Sequence, residues 1–332
     1  MKIGALGFFR CISCASPTLT LLAENTLGEE IVQGCLVCRE CAASYPIRGG
    51  IPRFVSSGNY SESFGFQWNL HIKTQLDSYT GLPISEKRLF ETTGWPAEMS
   101  GQVILEAGSG AGRFTEVLLA TGAEVFSFDY SSAVEANWQN NGQAPGLHLF
   151  QADIYDIPLR PASFDKVLCL GALQHTPNPE EALKSLVKYV RPGGELVVDS
   201  YKRSLPSLVH WKYLLRPLTK RMNHEALYRA IAQAVPFLVP VARSLRRLAG
   251  RAGARLVPIA EYSHLGLPNK LNTEWAVLDT FDMYSPAHDH PQSAQTLKRW
   301  LEKADLVDIV VQPAPNGLAA RGRRPEQPQT SS

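Results

Sequence analysis

The sequence predicts an α/β fold: a doubly wound, mostly parallel seven-stranded sheet, preceded by a small cysteine-rich module and interrupted by a helical insertion. Three observations carry that prediction. Short apolar runs alternate with helix-period stretches between residues 101 and 200. Five of the six cysteines fall within the first 41 residues. Residues 201–290 separate the fifth strand from the next clear helical pattern, far more chain than an ordinary connection uses. With 332 residues, 44% apolar and 19% charged, the chain has ample material for a core, and its length suggests about two domains. The composition excludes a wholly disordered chain, a collagen and a disulfide-rich miniprotein. No run of 18 charge-free apolar residues is present, so no membrane span is predicted. The N-terminal stretch lacks the apolar core and cleavage site of a secretory signal, and a cytoplasmic location is expected.

The cysteines are the first element. Cys11-x2-Cys14 is followed, after 23 residues, by Cys38-x2-Cys41. Two such knuckles offer four thiolates to one ion, the pattern of a structural zinc site. A segment of about 50 residues buries too little surface to hold itself, so metal binding would supply its folding energy. Disulfides or free thiols are the competing readings, and the missing secretory signal weighs against disulfides. Cys35 also makes a CxxC with Cys38, but the Cys38–Cys41 pair stands symmetrically opposite Cys11 and Cys14. Cys169 lies in an apolar run and reads as a core thiol. The order knuckle, strand, Gly34-x-Leu36-x-Cys38-x-x-Cys41, Tyr45-Pro46-Ile47 and Gly50-Ile51-Pro52 resembles the small zinc-ribbon proteins that partner methyltransferases. The resemblance implies a zinc ribbon over residues 1–55, fused in cis as a structural or docking module. One departure is Cys35, which follows Gly34 where no ligand is expected.

The sheet begins at residue 103. Val103 to Ala107 is a short apolar run, Gly108-Ser109-Gly110-Ala111-Gly112 a turn, and Phe114 to Ala120 a helix-period stretch. A glycine loop of this kind brings the backbone close to a ligand and sets that ligand at a helix N-terminus. The spacing is GxGxG followed by Arg113, so the dinucleotide pattern GxGxxG is not met. A second strand, Glu124 to Asp129, ends in a carboxylate 17 residues after Gly112, suited to accept both ribose hydroxyls. An N-cap role for Asp129 is the plainer alternative. A third strand, Leu147 to Asp153, ends in another carboxylate, placed for the exocyclic amine of an adenine. A fourth, Phe164 to Leu170, leads into Gly171 and on to His175. A helix over 179–190, a turn Arg191-Pro192-Gly193-Gly194 and a fifth strand, Glu195 to Ser200, follow. A helix over 293–304, then Val307 to Val311 and Ala319 to Gly322, read as the last helix and the last two strands.

Glu106-x-Gly108-x-Gly110-x-Gly112, Asp129, Ala152-Asp153, Phe164-Asp165 and the Arg-Pro-Gly-Gly turn, in this order and spacing, resemble a class I S-adenosylmethionine-dependent methyltransferase with its Rossmann-like sheet. The resemblance implies S-adenosylmethionine as cofactor. It puts Glu106 and the loop Gly108, Ser109, Gly110, Gly112, with Arg113, at the methionine end. Asp129 would hold the ribose, with Tyr130 and Ser131 beside it, and Asp153 with Ile154 the adenine. Leu170, Gly171 and His175 would line the pocket near the methyl group. A nicotinamide enzyme is the competing reading for such a sheet.

Residues 56–100 are expected to form a linker or helical cap. Relatives of this layout carry segments like Phe64-x-x-Gln67-Trp68 that pack over the cofactor, which makes Trp68 a cofactor contact; burial of a domain interface is the equal alternative. The methyltransferase core is expected over 101–200 and 291–322, the acceptor-site insertion over 201–290, and a disordered tail over 323–332. From Tyr213 to Val257 the insertion carries nine Lys/Arg against one acid, Glu225, with apolar residues interleaved. Such a basic amphipathic segment fits an anionic membrane surface or an anionic substrate; a solvated helical lid is the plain alternative, and nucleic acid fits less well.

A sulfonium methyl is already a strong electrophile, so the protein's task is to align the acceptor for in-line displacement. A hydroxyl acceptor also needs a base within reach. His175 is the first candidate, with a structural role closing the turn before Pro177 as its alternative. His290, His288 and Asp282 follow. His288-x-His290 on a proline-flanked loop is no strong metal signature. The expected activity is methyl transfer to a small or lipid-like molecule, at oxygen. The rival is an RNA base methyltransferase gripping RNA with ribbon and basic insertion, and a non-enzymatic interaction protein is the third reading.

Overall fold

The computed structural model describes residues 1–55, 60–203 and 211–326. Four antiparallel strands, β1 (Leu19–Leu27), β2 (Glu30–Cys38), β3 (Ser44–Arg48) and β4 (Ile51–Pro52), form a first sheet in sequential order. Three helices follow: α1 (Glu62–Leu70), α2 (Asp77–Thr80) and α3 (Ile84–Thr93). Then strand and helix alternate: β5 (Val103–Ala107), α4 (Arg113–Ala120), β6 (Glu124–Asp129), α5 (Val134–Asn141), β7 (Leu147–Gln151), β8 (Phe164–Cys169), α6 (Pro179–Val187) and β9 (Val190–Ser200). The insertion contributes α7 (Trp211–Thr219), α8 (His224–Ala254) and α9 (Asn269–Tyr284). The chain returns through α10 (Ala294–Lys303), β10 (Val307–Ala314) and β11 (Gly317–Arg323).

The second sheet has seven strands in the order β10-β11-β9-β8-β5-β6-β7. Pairings among β7, β6, β5, β8 and β9 are parallel, while β11 lies antiparallel to both its neighbours. This is a Rossmann-like methyltransferase fold. The order reverses between β5 and β8, and a crevice opens there at the carboxyl ends of the strands. The central strands read as near-continuous apolar runs because helices cover both faces.

The cysteine-rich module packs into the main core. Phe9 stacks on Phe54 at 5.3 Å and meets Phe150 edge-on at 5.5 Å. Phe8 lies 4.4 Å from Phe126, between ring centroids. Backbone bonds from Arg160 to Phe8 and from Phe54 to Gln151 (2.9 Å each) extend the contact along the β7 edge. One continuous apolar cluster therefore holds Leu36 and Ile47 of the small sheet together with Leu105 and Val167 of the large one. The insertion has a separate core. Leu227, Ile231, Val235, Val239 and Ala242 recur every three or four residues on α8 and pack against Ala276, Val277, Phe281 and Tyr284, joined by Phe66 of α1.

Several boundaries differ from expectation. The third strand stops at Gln151, because Asp153 turns back to cap the Tyr155 amide at 3.0 Å. The helix expected over 179–190 ends at Val187, and Val190 already pairs with Phe164. Arg191-Pro192-Gly193-Gly194 is consequently drawn into β9 as an irregularity in its pairing, not a free turn. Residues expected to begin a disordered tail are ordered as far as Glu326: Arg323 closes β11, and the Arg324 amide bonds the Gly194 carbonyl at 2.9 Å. Residues 327–332 of that expected tail lie outside the described residues, as do 56–59 of the linker and 204–210 of the insertion. Among the described residues, no helix is long and apolar enough to cross a membrane.

Candidate active site

A cavity of about 840 Å³ opens over the carboxyl ends of the strands, at the switch point. One end is built from the glycine loop. Gly108 and Gly110 both have positive φ (77° and 53°). A Cβ on Gly108 would stand 2.3 Å from the Ala172 methyl, and one on Gly110 3.0 Å from the Trp68 indole nitrogen. Trp68 thus closes over the loop from α1, and only glycine leaves the cradle open. Asp129, at the tip of β6, is half-buried; one carboxylate oxygen accepts the Gly110 amide (3.0 Å), the other the Ser131 amide (2.8 Å) and hydroxyl (2.7 Å). Burial holds its carboxyl above the usual carboxylate range, while those same bonds pull it down. The Ser109 hydroxyl is buried beside the cavity with no partner among the described residues. Tyr130, Ile154, Leu170 and Gly171 line the same end. A narrow backbone cradle, a carboxylate at the second strand tip and an unpartnered hydroxyl fit the amino acid and ribose portions of S-adenosylmethionine.

Other expected cofactor residues stand behind this surface. Glu106 does not line the cavity: its carboxylate accepts the Thr115 (2.5 Å) and Ser127 (2.7 Å) hydroxyls, tying β5 to α4 and β6. Burial pushes its carboxyl up to about 7. Gly112 and Ser131 support the loop and Asp129 without reaching the cavity wall, and Asp153 is half-buried behind Ile154. Arg113 does line the cavity, but toward the opposite end. It bonds Gln75 and Ser85 and stacks on Phe114 (4.9 Å) and Trp275 (5.7 Å). Burial, with Arg88 nearby, lowers its pKa to about 9. Within the aromatic segment of α1, Phe64 and Trp68 face the cavity, while Phe66 enters the insertion core.

The far end is assembled from distant segments. His175, at the tip of β8, donates from Nδ1 to the His288 carbonyl at 3.0 Å. A carbonyl can only accept, so Nδ1 carries the proton and Nε2 keeps its lone pair. Burial lowers the imidazole to about 4, so it is neutral at physiological pH. Tyr201, the first residue beyond β9, packs edge-on to His175 at 5.5 Å and donates to Asp282 at 3.3 Å. Asp279 accepts from Gln75 at 3.0 Å and from Tyr262. Burial raises Asp279 and Asp282 to about 6 each, with Asp282 adding to the rise at Asp279 and Asp289 to that at Asp282. Asp289 is itself held by Lys212 and Arg216 at 2.9 Å each.

His288 and His290 do not line the cavity. Their loop is fastened from both sides: the His290 amide bonds Gln174, and the Arg216 guanidinium bonds the Pro286 carbonyl. His288 therefore acts through its backbone, and its ring stacks on His290 (5.8 Å) and meets Tyr60 (5.7 Å). Sequence reasoning missed Tyr201, Lys212 and Arg216 as site residues. Tyr201 was findable, since it follows directly on a strand whose carboxyl end faces the crevice. Lys212 and Arg216 carried no such signal, because Arg216 sits in a basic stretch that reads as a surface stripe and Lys212 lies just before it.

At the other end of the molecule, the Sγ atoms of Cys11, Cys14, Cys38 and Cys41 lie within 4.8 Å of one another. The pairs Cys11–Cys41 and Cys14–Cys38 are each 3.5 Å apart. Zinc–sulfur bonds of about 2.3 Å on a tetrahedron put sulfurs about 3.8 Å apart, so the cluster has the dimensions of a zinc ribbon. Cys35 stays outside it, bonded to Ser44 at 2.7 Å.

Residues 105–198 match the methyltransferase domain family. The chain is 27% identical over 229 residues to an uncharacterized protein of Synechococcus sp., covering 64% of this chain and 49% of that one. It is 27% identical over 161 residues to a ubiquinone biosynthesis O-methyltransferase of Thiobacillus denitrificans, covering 47% of this chain and 66% of that one. The chain thus spans about half to two thirds of the length of these curated relatives. A solved complex of the Haloferax volcanii Trm112 methyltransferase activator with a methyltransferase aligns at 13% identity and a TM-score of 0.44, covering 80% of this chain and 98% of that one. The matched segment contributes the glycine loop, Asp129 and His175; the far end of the cavity draws also on residues outside it.

Proposed function

We propose that the protein is an S-adenosylmethionine-dependent methyltransferase that methylates a hydroxyl of a small or lipid-like molecule. One observation carries this reading: the glycine cradle with Asp129 and the group His175, Tyr201 and Asp282 line one cavity. Gly108, Ser109, Gly110 and Asp129 would hold the cofactor, which when bound supplies a methyl group on a positively charged sulfur. Trp68 shields that end from water. His175, packed edge-on to Tyr201, walls the acceptor end of the cavity. Asp282 takes the proton: a carboxylate at about 6 is ionised at neutral pH yet basic enough to assist. The aromatic residues Tyr60, Phe64 and Tyr262 give the acceptor an apolar wall. The ubiquinone O-methyltransferase relatives support oxygen as the acceptor atom. The four-cysteine cluster binds structural zinc in this reading, and because it shares the main core its metal stabilises the whole fold.

The test is incubation with methyl-labelled S-adenosylmethionine and a cell extract, followed by separation of RNA, protein, lipid and small-molecule fractions. Label is expected in the lipid or small-molecule fraction. Label in RNA overturns the reading in favour of an RNA base methyltransferase. Metal analysis is expected to find one zinc per chain, lost in Cys14→Ser.

A further inference from the structure

The insertion carries an apolar surface that neither core uses. On α8 the buried stripe from Leu227 to Ala242 faces α9. A second stripe, Ala230, Ala234, Phe237 and Val241, follows the same three- and four-residue spacing on an adjacent face, is continued by Leu248 seven residues on, and is exposed. Phe237 is 80% and Leu248 83% accessible. A globular helix with one partner needs only one apolar stripe. The neighbouring helix α7 repeats the arrangement, with Leu214 and Leu218 exposed one turn apart, opposite the buried Arg216.

The charge around these stripes is one-sided, but fewer of the cations are available than the sequence suggests. Arg216 is committed to Asp289, Arg246 to the buried carboxylate of Glu261, and Arg243 donates to Asn269 at 2.8 Å. Arg247 on α8, Arg251 beyond the kink that Ala249 and Gly250 make in it, and Lys220 and Arg221 after α7 remain exposed. Glu225 is the single acid from Tyr213 to Val257 and pairs with Arg229 at 3.4 Å. This end of α8 also adjoins the cavity: Arg255, just after the helix, is a lining residue, and Leu256 beside it is exposed.

From this we infer that the exposed faces of α7 and α8 dock on an anionic lipid bilayer, with the cavity mouth beside the docked end of α8. Apolar side chains enter the acyl boundary while flanking arginines and lysines meet lipid phosphates. A second protein copy would bring an identical cationic face against this one, whereas an anionic bilayer complements both its apolar and its charged parts. Docking goes beyond methyl transfer and is read without turnover, so its failure leaves the proposed activity standing.

The experiment is co-sedimentation of the full chain with phosphatidylcholine vesicles, with and without phosphatidylglycerol. Binding is expected only with the anionic lipid, falling steeply with salt. Phe237→Asp with Leu248→Asp is expected to weaken binding about tenfold or more per side chain. Arg247→Glu with Arg251→Glu should weaken it about fivefold or more per charge. Both double variants should keep the parent's thermal unfolding, since none of the four residues is buried. Binding that ignores phosphatidylglycerol, or survives both double variants, overturns the inference. So does a concentration-dependent dimer that Phe237→Asp with Leu248→Asp converts to monomer while vesicle binding is absent.

Discussion

The two ends of the cavity are built on different principles. The cofactor end uses backbone amides and one carboxylate from residues 108–131, contiguous in the chain and positioned by strand tips. The acceptor end gathers Gln75, Arg113, His175, Tyr201, Lys212, Arg216, Asp279, Asp282 and Asp289 from both sides of the sheet. Few groups titrate at the first end, whereas the second concentrates buried charges whose pKa values move toward neutrality. In the proposed reading, cofactor affinity is a matter of local shape, while handling the acceptor is a matter of converging charge.

The sharpest way to test this division is to remove the proposed base. Asp282→Asn should lower kcat by roughly 10²–10⁴-fold and leave cofactor affinity, measured by calorimetry, unchanged. A parallel loss of cofactor affinity would mean that the two ends are not separable. Next in size is Arg216→Met, which leaves part of a buried ion cluster unbalanced and should cost about 3 kcal/mol of stability in denaturant unfolding. Retained stability would show that Lys212 alone suffices for Asp289.

Asp129→Ala addresses the other end. It should weaken S-adenosylmethionine binding by about 1.5–3 kcal/mol through lost hydrogen bonds to a charged group, with the acid limb of the pH profile unmoved. That limb is the fourth prediction. Asp282 must be ionised to accept a proton, so kcat/KM should fall as pH drops through about 6. If His175 were the base, the fall would come near pH 4. Asp289→Asn removes a like charge and frees two cations, both of which lower the Asp282 pKa, so the limb should shift to lower pH. The smallest effect belongs to neither end. Ser293→Ala, which deletes the cap on the Thr296 amide at the start of α10, should cost about 1 kcal/mol without altering either substrate's binding.

The legibility of the molecule follows the same line. The strands β5 and β6 and the cysteine ligand set were readable because each depends on neighbours close in sequence: apolar alternation, glycine spacing, knuckle spacing. The carboxylate of Glu106 shows the converse. Its place in the motif is visible, but whether it turns outward to a ligand or inward to Thr115 and Ser127 depends on side chains nine and 21 residues away. The histidines divide likewise. His175, His288 and His290 are equal as letters; packing makes one a wall of the cavity and leaves another contributing only its carbonyl.

The sequence by itself determined the alternation that makes a doubly wound sheet, the glycine loop with its carboxylate, and the four thiols, since short-range stereochemistry and spacing dictate them. Only the tertiary structure decided that the small cysteine sheet shares the main core and that the basic insertion spends Arg216 and Arg246 internally. It also decided that Asp279, Asp282 and Asp289 line one cavity close enough to shift one another. Charges that attract, repel and shift one another there do so through space, and no spacing along the chain records which of them will be desolvated together.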